Sequence, residues 1–311
     1  MRREHERLPV FAAVGGAHLL SAAARLRDIA LPVEQVADLR EASDVFGRAL
    51  PVVGALDGDC TPGEPSRAGA EFALASLATA AHLATTHDAA ALVTGPIAKT
   101  RLAEVGFDHP GQTEFVAAAC GIAPADAVMM LAGPQLRTVP ITVHVALSDV
   151  PHMLTADLIV RRARIVAAAL ERDFGISQPR LAVAGLNPHA GEDGRFGTEE
   201  IAAIAPAIAA LRDEGIDASG PHPADALFTP RARERYDAAL CMYHDQALIP
   251  LKALDFDEGV NVTLGLPIVR TSPDHGTAFD IAGKGLADPG ATIAAIRMAG
   301  ECAAQRARHR L

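Results

Sequence analysis

Three histidines stand in or just beyond apolar segments that read as strands. They are His144 in Thr142-Val-His-Val-Ala, His189 in Asn187-Pro-His-Ala-Gly-Glu and His244 in Met242-Tyr-His-Asp-Gln. Residues at the carboxyl ends of parallel strands face a shared edge of the sheet, and three imidazoles with an open position are typical of a catalytic zinc site. No HExxH helix is present, so distant segments would have to assemble the site. The spacing also fits histidines hydrogen-bonded within a core, and that alternative stays open.

A glycine-rich loop occupies residues 275–288. Glycines permit a ligand to approach the backbone closely, and Asp280 can accept hydrogen bonds from ribose or amide groups. The loop is neither a GxGxxG fingerprint nor a Walker loop. It indicates a bound ligand, with a purely structural loop as the alternative.

Lysine and asparagine are rare in this chain. Of 28 basic residues only Lys99, Lys252 and Lys284 are lysines, and the only asparagines are Asn187 and Asn261. A lysine exchanges protons more readily than an arginine, because burial shifts its pKa. A candidate anion-binding set follows from these and nearby polar residues: Lys99, Thr113, Lys252, Asn261 and Arg270. A network of local turns is the alternative for this set.

The elements that would position these residues alternate between helices and strands. Helices are predicted at 66–85 with Ser66 as N-cap, from 114 onward, and at 158–174, 198–214 and 291–305. Strands are predicted at 89–93, 127–132, 137–145, 180–186 and 238–243. This alternation predicts an α/β protein with mostly parallel sheets.

Composition narrows the possible functions. The 311 residues suggest about two domains, and a net charge of −10 argues against binding nucleic acid or a membrane through bulk positive charge. No run of about 20 apolar residues is present. Four cysteines without a CxxC pair favour reduced thiols in the cytoplasm. Arg2, Arg3 and Arg7 before an apolar stretch resemble a secretion signal, but Glu4 and Glu6 do not suit one.

Four long motifs carry a resemblance to a known family. They are Gly185-Leu-Asn-Pro-His-Ala-Gly-Glu-Asp-Gly194, Met242-Tyr-His-Asp-Gln246, Val260-Asn-Val-Thr-Leu-Gly-Leu-Pro267 and Arg270-Thr-Ser-Pro-Asp-His-Gly-Thr-Ala278. They closely resemble the PdxA family, the 4-hydroxythreonine-4-phosphate dehydrogenases of pyridoxal phosphate biosynthesis. The resemblance spans the chain from about residue 10 to the C-terminus. Loop 275–288 is also similar to the adenosine-binding loop of isocitrate and isopropylmalate dehydrogenases.

The resemblance implies a two-domain, isopropylmalate-dehydrogenase-like fold with the active site in a cleft between the domains. Residues 1–110 and 272–311 would form the cofactor-side domain. Residues 111–271 would form the domain for metal, substrate and dimerisation. The implied protein is a cytoplasmic homodimer whose active sites draw on both subunits.

The implied reaction is the oxidation of 4-phosphooxy-L-threonine by NAD, with NADP as the alternative cofactor, and loss of carbon dioxide gives 3-amino-2-oxopropyl phosphate. One divalent metal per site (zinc, magnesium, manganese or cobalt) would be held by His144, His189 and His244. Cofactor contacts would come from His275, Gly276, Ala278, Asp280 and Gly283. Substrate contacts would come from Gln112, Thr113, Lys252, Asn261 and Arg270. The catalytic candidates are Lys99, Asp225 and Asp245, and the sequence does not choose between a buried Lys99 and a buried Lys252 as proton relay.

Two departures from the family pattern bear on substrate and fold. The family has Gly-His-Thr-Glu where this chain has Gly111-Gln-Thr-Glu114, and Gln112 hydrogen-bonds but carries no charge. A related dehydrogenase acting on threonate or erythronate 4-phosphate, or on a dihydrodiol dicarboxylate, is therefore the alternative, followed by a metal-binding protein without activity. The family's first strand and its Thr-x-Gly-Asp/Glu-Pro loop would precede residue 10, and we interpret the similar Thr61-Pro-Gly-Glu-Pro65 as a coincidence.

Overall fold

The computed structural model describes residues 8–58 and 60–309, so Arg2, Arg3 and Arg7 lie outside the described residues. The chain divides into two compact units. The first comprises Met1–Ile122 and Thr271–Gly300, and the second comprises Ala123–Arg270 and Glu301–Leu311. Within the described residues, no helix has the length and apolar character needed to cross a membrane.

The first unit holds a three-stranded parallel sheet in the order β1-β3-β2. These strands are β1 (Ala13–Val14), β2 (Val33–Val36) and β3 (Leu50–Val53), and the unit also contains β4 (Ala91–Val93). Its helices are α1 (Ala17–Arg25), α2 (Ala42–Phe46), α3 (Arg67–Thr85), α4 (Lys99–Ala103) and α5 (Gln112–Ala119). The Ser66 hydroxyl accepts a hydrogen bond from Gly69 N at 3.1 Å, which confirms the predicted cap of α3.

The second unit holds six neighbouring strands in the order β10-β5-β6-β9-β7-β8. They are β5 (Val128–Ala132), β6 (Arg137–Pro140), β7 (Arg180–Ala184), β8 (Asp217–His222), β9 (Ala238–Cys241) and β10 (Val260–Leu264). The four strands β6, β9, β7 and β8 run parallel, whereas β5 is antiparallel to both of its neighbours. Leu131, Ala182, Ala239 and Leu251 form part of the core against this sheet.

Helices flank the strands of the second unit. They are α6 (Val150–Met153), α7 (Ala156–Phe174), α8 (Ala205–Asp213), α9 (Ala224–Leu227), α10 (Pro230–Arg233) and α11 (His244–Asp255). Strand β11 (Val269–Pro273) and helix α12 (Gly290–His309) each include residues of both units. The predicted α/β fold with mostly parallel sheets is confirmed.

Several predicted elements differ from the structure at their ends. The strand predicted at 89–93 begins at Ala91, and the strand predicted at 238–243 ends at Cys241. The strand predicted at 137–145 ends at Pro140, and His144 lies in a loop with a φ of 55°. The strand predicted at 180–186 ends at Ala184. The helix predicted at 198–214 opens with a π-helical turn, Glu200–Ile204, before it continues as α8.

Candidate active site

His144 and His244 meet beyond the ends of two neighbouring parallel strands. Pro140 of β6 pairs with Cys241 of β9. The Ile141 N–H then donates to Cys241 O at 2.7 Å, and the Thr142 hydroxyl donates to Met242 O at 2.8 Å. The two segments therefore stay paired beyond the last ladder residues, and the centroids of the two imidazole rings lie 5.7 Å apart.

The two rings line an open cavity of about 280 Å³. Its walls are Thr142, His144, Val145, Leu147, Val150, Tyr243, His244 and Asp245. His244 Nδ1 lies 2.7 Å from Asp245 Oδ1. A proton on Nδ1 would be held by this carboxylate, and Nε2 would then present its lone pair as a metal ligand. Two adjacent imidazoles, one of them oriented by a carboxylate, suit a divalent metal.

His189 follows the third strand of the parallel set, β7, but stands apart from the other two histidines. It is exposed on the turn Pro188–Gly194, with its ring centroid 6.0 Å from that of Phe196. Across the described part of the chain, no three His, Cys, Asp or Glu side chains are placed to hold one metal ion. A single chain thus brings together two of the three predicted ligands.

Gln246 ties two of these strand ends together, and sequence reasoning did not single it out. This side chain is 7 % exposed. Its Oε1 accepts from Met242 N at 2.6 Å, and its Nε2 donates to Gly185 O at 2.8 Å. The signal was available, since Gln246 closes the quoted Met242-Tyr-His-Asp-Gln motif. Gln246 links the segments that lead to His244 and His189.

Gln112 is held at the start of α5. The Thr94 hydroxyl donates to its Oε1 and its Nε2 donates to Gly95 O, each at 3.1 Å. Thr113 follows in the first turn of the helix and is half-buried. Lys99 lies close to the start of α5, since a Cβ added at Gly111, the residue before Gln112, would be 3.7 Å from Lys99 Nζ. The first unit therefore gathers three of the predicted site residues.

The remaining anion-binding candidates differ in burial. Arg270 is 3 % exposed, and its Nη1 donates to Thr263 Oγ1 at 3.0 Å. Asn261 lies on β10, and its buried Oδ1 accepts no hydrogen bond within the described chain. Lys99 and Lys252 are both exposed, so the burial expected of a lysine proton relay is not found in the single chain.

The loop predicted to bind the cofactor packs against another segment of the first unit. Ala278 and Gly283 have φ values of 45° and 78°. A Cβ at Gly283 would lie 2.9 Å from Pro62 Cβ, and a Cβ at Gly63 would lie 3.1 Å from Phe279 O. The backbone of the loop is therefore close to the Pro62 side chain at Gly283 and to the Gly63 backbone at Phe279. His275, Gly276 and Asp280, the other predicted contacts, are exposed in the same loop.

The two candidate carboxylates lie near different histidines. Asp245 contacts His244, as described above, and its side chain is 68 % exposed. Asp225 is exposed in α9, and this helix contacts the turn that carries His189.

A family model, curated proteins and solved structures resemble this chain over most of its length. The model of the family "Pyridoxal phosphate biosynthetic protein PdxA" matches residues 7–299. A 4-hydroxythreonine-4-phosphate dehydrogenase of Erythrobacter litoralis is 62 % identical over 98 % of this chain and 91 % of its own length. The crystal structure of the enzyme of that name from Klebsiella pneumoniae has a TM-score of 0.84 and 36 % identity, covering 93 % of this chain and 88 % of its own. A terephthalate 1,2-cis-dihydrodiol dehydrogenase from Burkholderia xenovorans has a TM-score of 0.62 and 30 % identity, covering 91 % and 93 %.

Proposed function

Because the chain belongs to the PdxA family, we propose that it is a 4-hydroxythreonine-4-phosphate dehydrogenase of pyridoxal phosphate biosynthesis. It would oxidise 4-phosphooxy-L-threonine with NAD as the hydride acceptor, and the product would lose carbon dioxide to give 3-amino-2-oxopropyl phosphate. The observation that carries this proposal is the pair of imidazoles at the ends of β6 and β9, with the carboxylate of Asp245 on His244.

The proposed oxidation moves a hydride from the carbon of the secondary alcohol to NAD and the hydroxyl proton to a protein base. The 3-oxo acid that forms then loses carbon dioxide, and a proton returns to the carbon. A divalent ion held by His144, His244 and His189 would supply the Lewis acidity that favours loss of the hydroxyl proton. Asp245, Asp225 and Lys99 are the candidate proton carriers, and a carboxylate or lysine in reach of the alcohol suits that role.

Substrate binding is assigned to side chains that offer charge or unsatisfied hydrogen-bonding capacity. Asn261 Oδ1 supports this assignment, because a buried acceptor without a donor costs free energy until a ligand supplies one. Arg270 and Lys252 would neutralise the phosphate or carboxylate. Thr113 and Gln112 would add neutral hydrogen bonds at the start of α5.

Cofactor binding is assigned to loop 275–288. The close contacts of Gly283 with the Pro62 side chain and of Gly63 with Phe279 O support the loop, and Asp280 can accept hydrogen bonds from the ribose. We place NAD, or NADP, against His275, Gly276, Ala278, Asp280 and Gly283. The metal would be zinc, magnesium, manganese or cobalt.

Assembly as a homodimer would complete the site. Within the described residues a single chain brings together His144 and His244, so the proposal takes the third histidine from a second copy of the chain. A cytoplasmic location is proposed as well, because all four cysteines are free thiols.

A second candidate substrate class is favoured by one position. Gln112 is neutral where the family pattern has histidine. One of the solved structures that resemble this chain is named a terephthalate 1,2-cis-dihydrodiol dehydrogenase. A dihydrodiol dicarboxylate, or a threonate or erythronate 4-phosphate, is therefore the alternative substrate.

The test is NADH formation by the purified full-length protein. We expect turnover with 4-phosphooxy-L-threonine that a chelator abolishes and added Zn²⁺, Mg²⁺, Mn²⁺ or Co²⁺ restores. His244→Ala should lose both metal uptake and turnover, while His82→Ala, an exposed histidine on α3, should match the wild type. Turnover only with a dihydrodiol or a sugar-acid phosphate would favour the alternative, and none with any of these substrates would refute the dehydrogenase assignment.

A further inference from the structure

The turn that carries His189 has an unusual backbone. Five consecutive residues lie in the left-handed region: His189, Ala190, Gly191, Glu192 and Asp193, with φ values of 53°, 52°, 81°, 40° and 54°. Only one of them is glycine. A left-handed conformation costs free energy for every residue with a Cβ, so the surrounding structure must hold this turn in place.

Three side chains, which we call the carboxylate clamp, hold the start of the turn. They are Asn187, Glu199 and Glu200. Asn187 N donates to Glu200 Oε1 at 2.8 Å, and Asn187 Nδ2 donates to Glu200 Oε2 at 2.9 Å and to Glu199 Oε2 at 2.7 Å. Hydrogen bonds to a charged acceptor are stronger than neutral ones. The Asn187 amide also lowers the pKa of the Glu199 carboxyl, which keeps that group ionised.

Glycines line the clamp where a side chain would displace it. A Cβ at Gly191 would lie 2.6 Å from Glu200 Oε2, and a Cβ at Gly185 would lie 3.1 Å from Glu200 Oε1. A Cβ at Gly197 would lie 2.7 Å from Glu199 Oε2. The backbone is therefore wrapped closely around the two carboxylates.

The clamp is built on a rare element. Glu200 is the first residue of the π-helical turn and is 3 % exposed. Burying a carboxylate is costly unless it is fully hydrogen-bonded, and π-helical turns are frequent at functional sites. Here the buried carboxylate supports a turn whose own histidine is exposed.

We propose that Glu200, acting with Glu199 and Asn187, is a positioning residue that fixes His189 for metal binding. The inference rests on the proposed function, since it assumes that His189 is a metal ligand. Glu200 does not touch the reacting atoms. It acts by holding the left-handed turn, so that the imidazole is presented in one orientation and little ordering remains when the metal binds.

The test uses the full-length protein with Co²⁺ as the probe. Glu200→Gln keeps the shape of the side chain, but its amide NH2 group then faces one of the two Asn187 donors, while its oxygen accepts from the other. Glu214→Gln is the control, because it removes a carboxylate from the C-terminal end of the same helical segment, where that carboxylate accepts from Arg164 Nε and Nη2. Co²⁺ affinity is measured by its visible absorption and by chelator competition, NADH affinity by fluorescence, and folding by circular dichroism.

We expect Glu200→Gln to fold and to lose about 10- to 100-fold in Co²⁺ affinity, with NADH affinity unchanged and Glu214→Gln equal to wild type. A folded Glu200→Gln protein with wild-type Co²⁺ affinity, or one that loses Co²⁺ and NADH affinity alike, overturns the proposal. If Glu200→Gln does not fold, Asn187→Ala is judged by the same criteria, and failure of both to fold means that the clamp is only structural. A wild-type protein that takes up no Co²⁺ would instead refute the metal site of the proposed function, and this inference with it.

Discussion

Replacing Gln246 tests whether the two strand ends behind the histidines depend on one side chain. Gln246→Leu leaves the buried Met242 N–H without its acceptor and Gly185 O without the side-chain donor. Each unsatisfied buried group costs about 1–3 kcal/mol, so we expect a loss of about 3 kcal/mol. For a unit of this size that corresponds to a melting temperature lower by about 6–12 °C.

The assay is thermal unfolding followed by circular dichroism and calorimetry. Gln35→Leu is the matched control, because Gln35 Nε2 also donates to a glycine carbonyl, Gly54 O at 2.8 Å, but at the exposed surface. It should cost less than about 1 kcal/mol. A Gln246→Leu protein that melts within about 2 °C of wild type, or no lower than Gln35→Leu, would refute the reasoning.

Gln246→Glu adds a pH dependence to the same test. The new carboxylate can accept from Met242 N, but when ionised it cannot donate to Gly185 O. Burial and the facing carbonyl should raise its folded-state pKa above the unfolded value of about 4.3. The variant should therefore match wild type most closely below about pH 4 and lose stability as the pH rises through the folded-state pKa.

Two further predictions concern other parts of the molecule. Asp173 and Arg306 form a buried ion pair at 2.7 Å, so Asp173→Asn should cost about 3–5 kcal/mol at neutral pH, whereas Glu34→Gln in the exposed pair with Arg48 should cost under about 1 kcal/mol. Burial raises the pKa of Asp173, but hydrogen bonds from Arg172 and Arg306 outweigh burial, and the net pKa is lowered. The difference in unfolding free energy between wild type and Asp173→Asn should therefore persist at neutral pH and close as the pH falls through the folded-state pKa. A difference that does not depend on pH would contradict this. Gly63→Ala should weaken NADH binding several-fold in a fluorescence titration, because the new Cβ would press on Phe279 O. Gly106→Ala is the control, since Gly106 also has a positive φ but has open space around it, and it should not weaken NADH binding. Equal effects of the two substitutions would show that backbone strain alone is responsible.

Local sequence patterns predicted the helices and strands that have a capping residue or a continuous apolar run. Helix α3 has a capping serine and a long apolar face, and both are visible in the sequence. Strands β2 and β3 were not predicted, because β2 has two polar residues at its centre and β3 contains Pro51, which is unusual inside a strand. The strand predicted through residue 145 follows an apolar run. In the structure the ladder of β6 ends at Pro140, hydrogen bonds from Ile141 and Thr142 follow, and the chain turns at His144.

The rule for strand ends predicted one part of the site, and the parts that depend on strand order and tertiary support could not be predicted. Residues that follow parallel strands lie at one edge of the sheet, so the sequence predicted that His144 and His244 could share a cleft. In the structure the two residues follow adjacent strands and their rings are neighbours. The left-handed turn at His189 could not be predicted, since residues such as Ala190 and Glu192 disfavour this conformation and local patterns do not reveal the bonds of Asn187 to Glu199 and Glu200. The exposure of Lys99 and Lys252 likewise follows from packing that their rarity in the sequence does not reveal.

The π-helical turn at Glu200–Ile204 makes chain length itself a constraint. Such a turn contains one residue more than an α-helical turn. Deleting one residue would allow an unbroken α-helix, but it would rotate the residues before it by about 100° relative to α8. Glu200 would then leave Asn187. Insertions and deletions in this segment should therefore be tolerated far less than substitutions, even those that favour the regular helix.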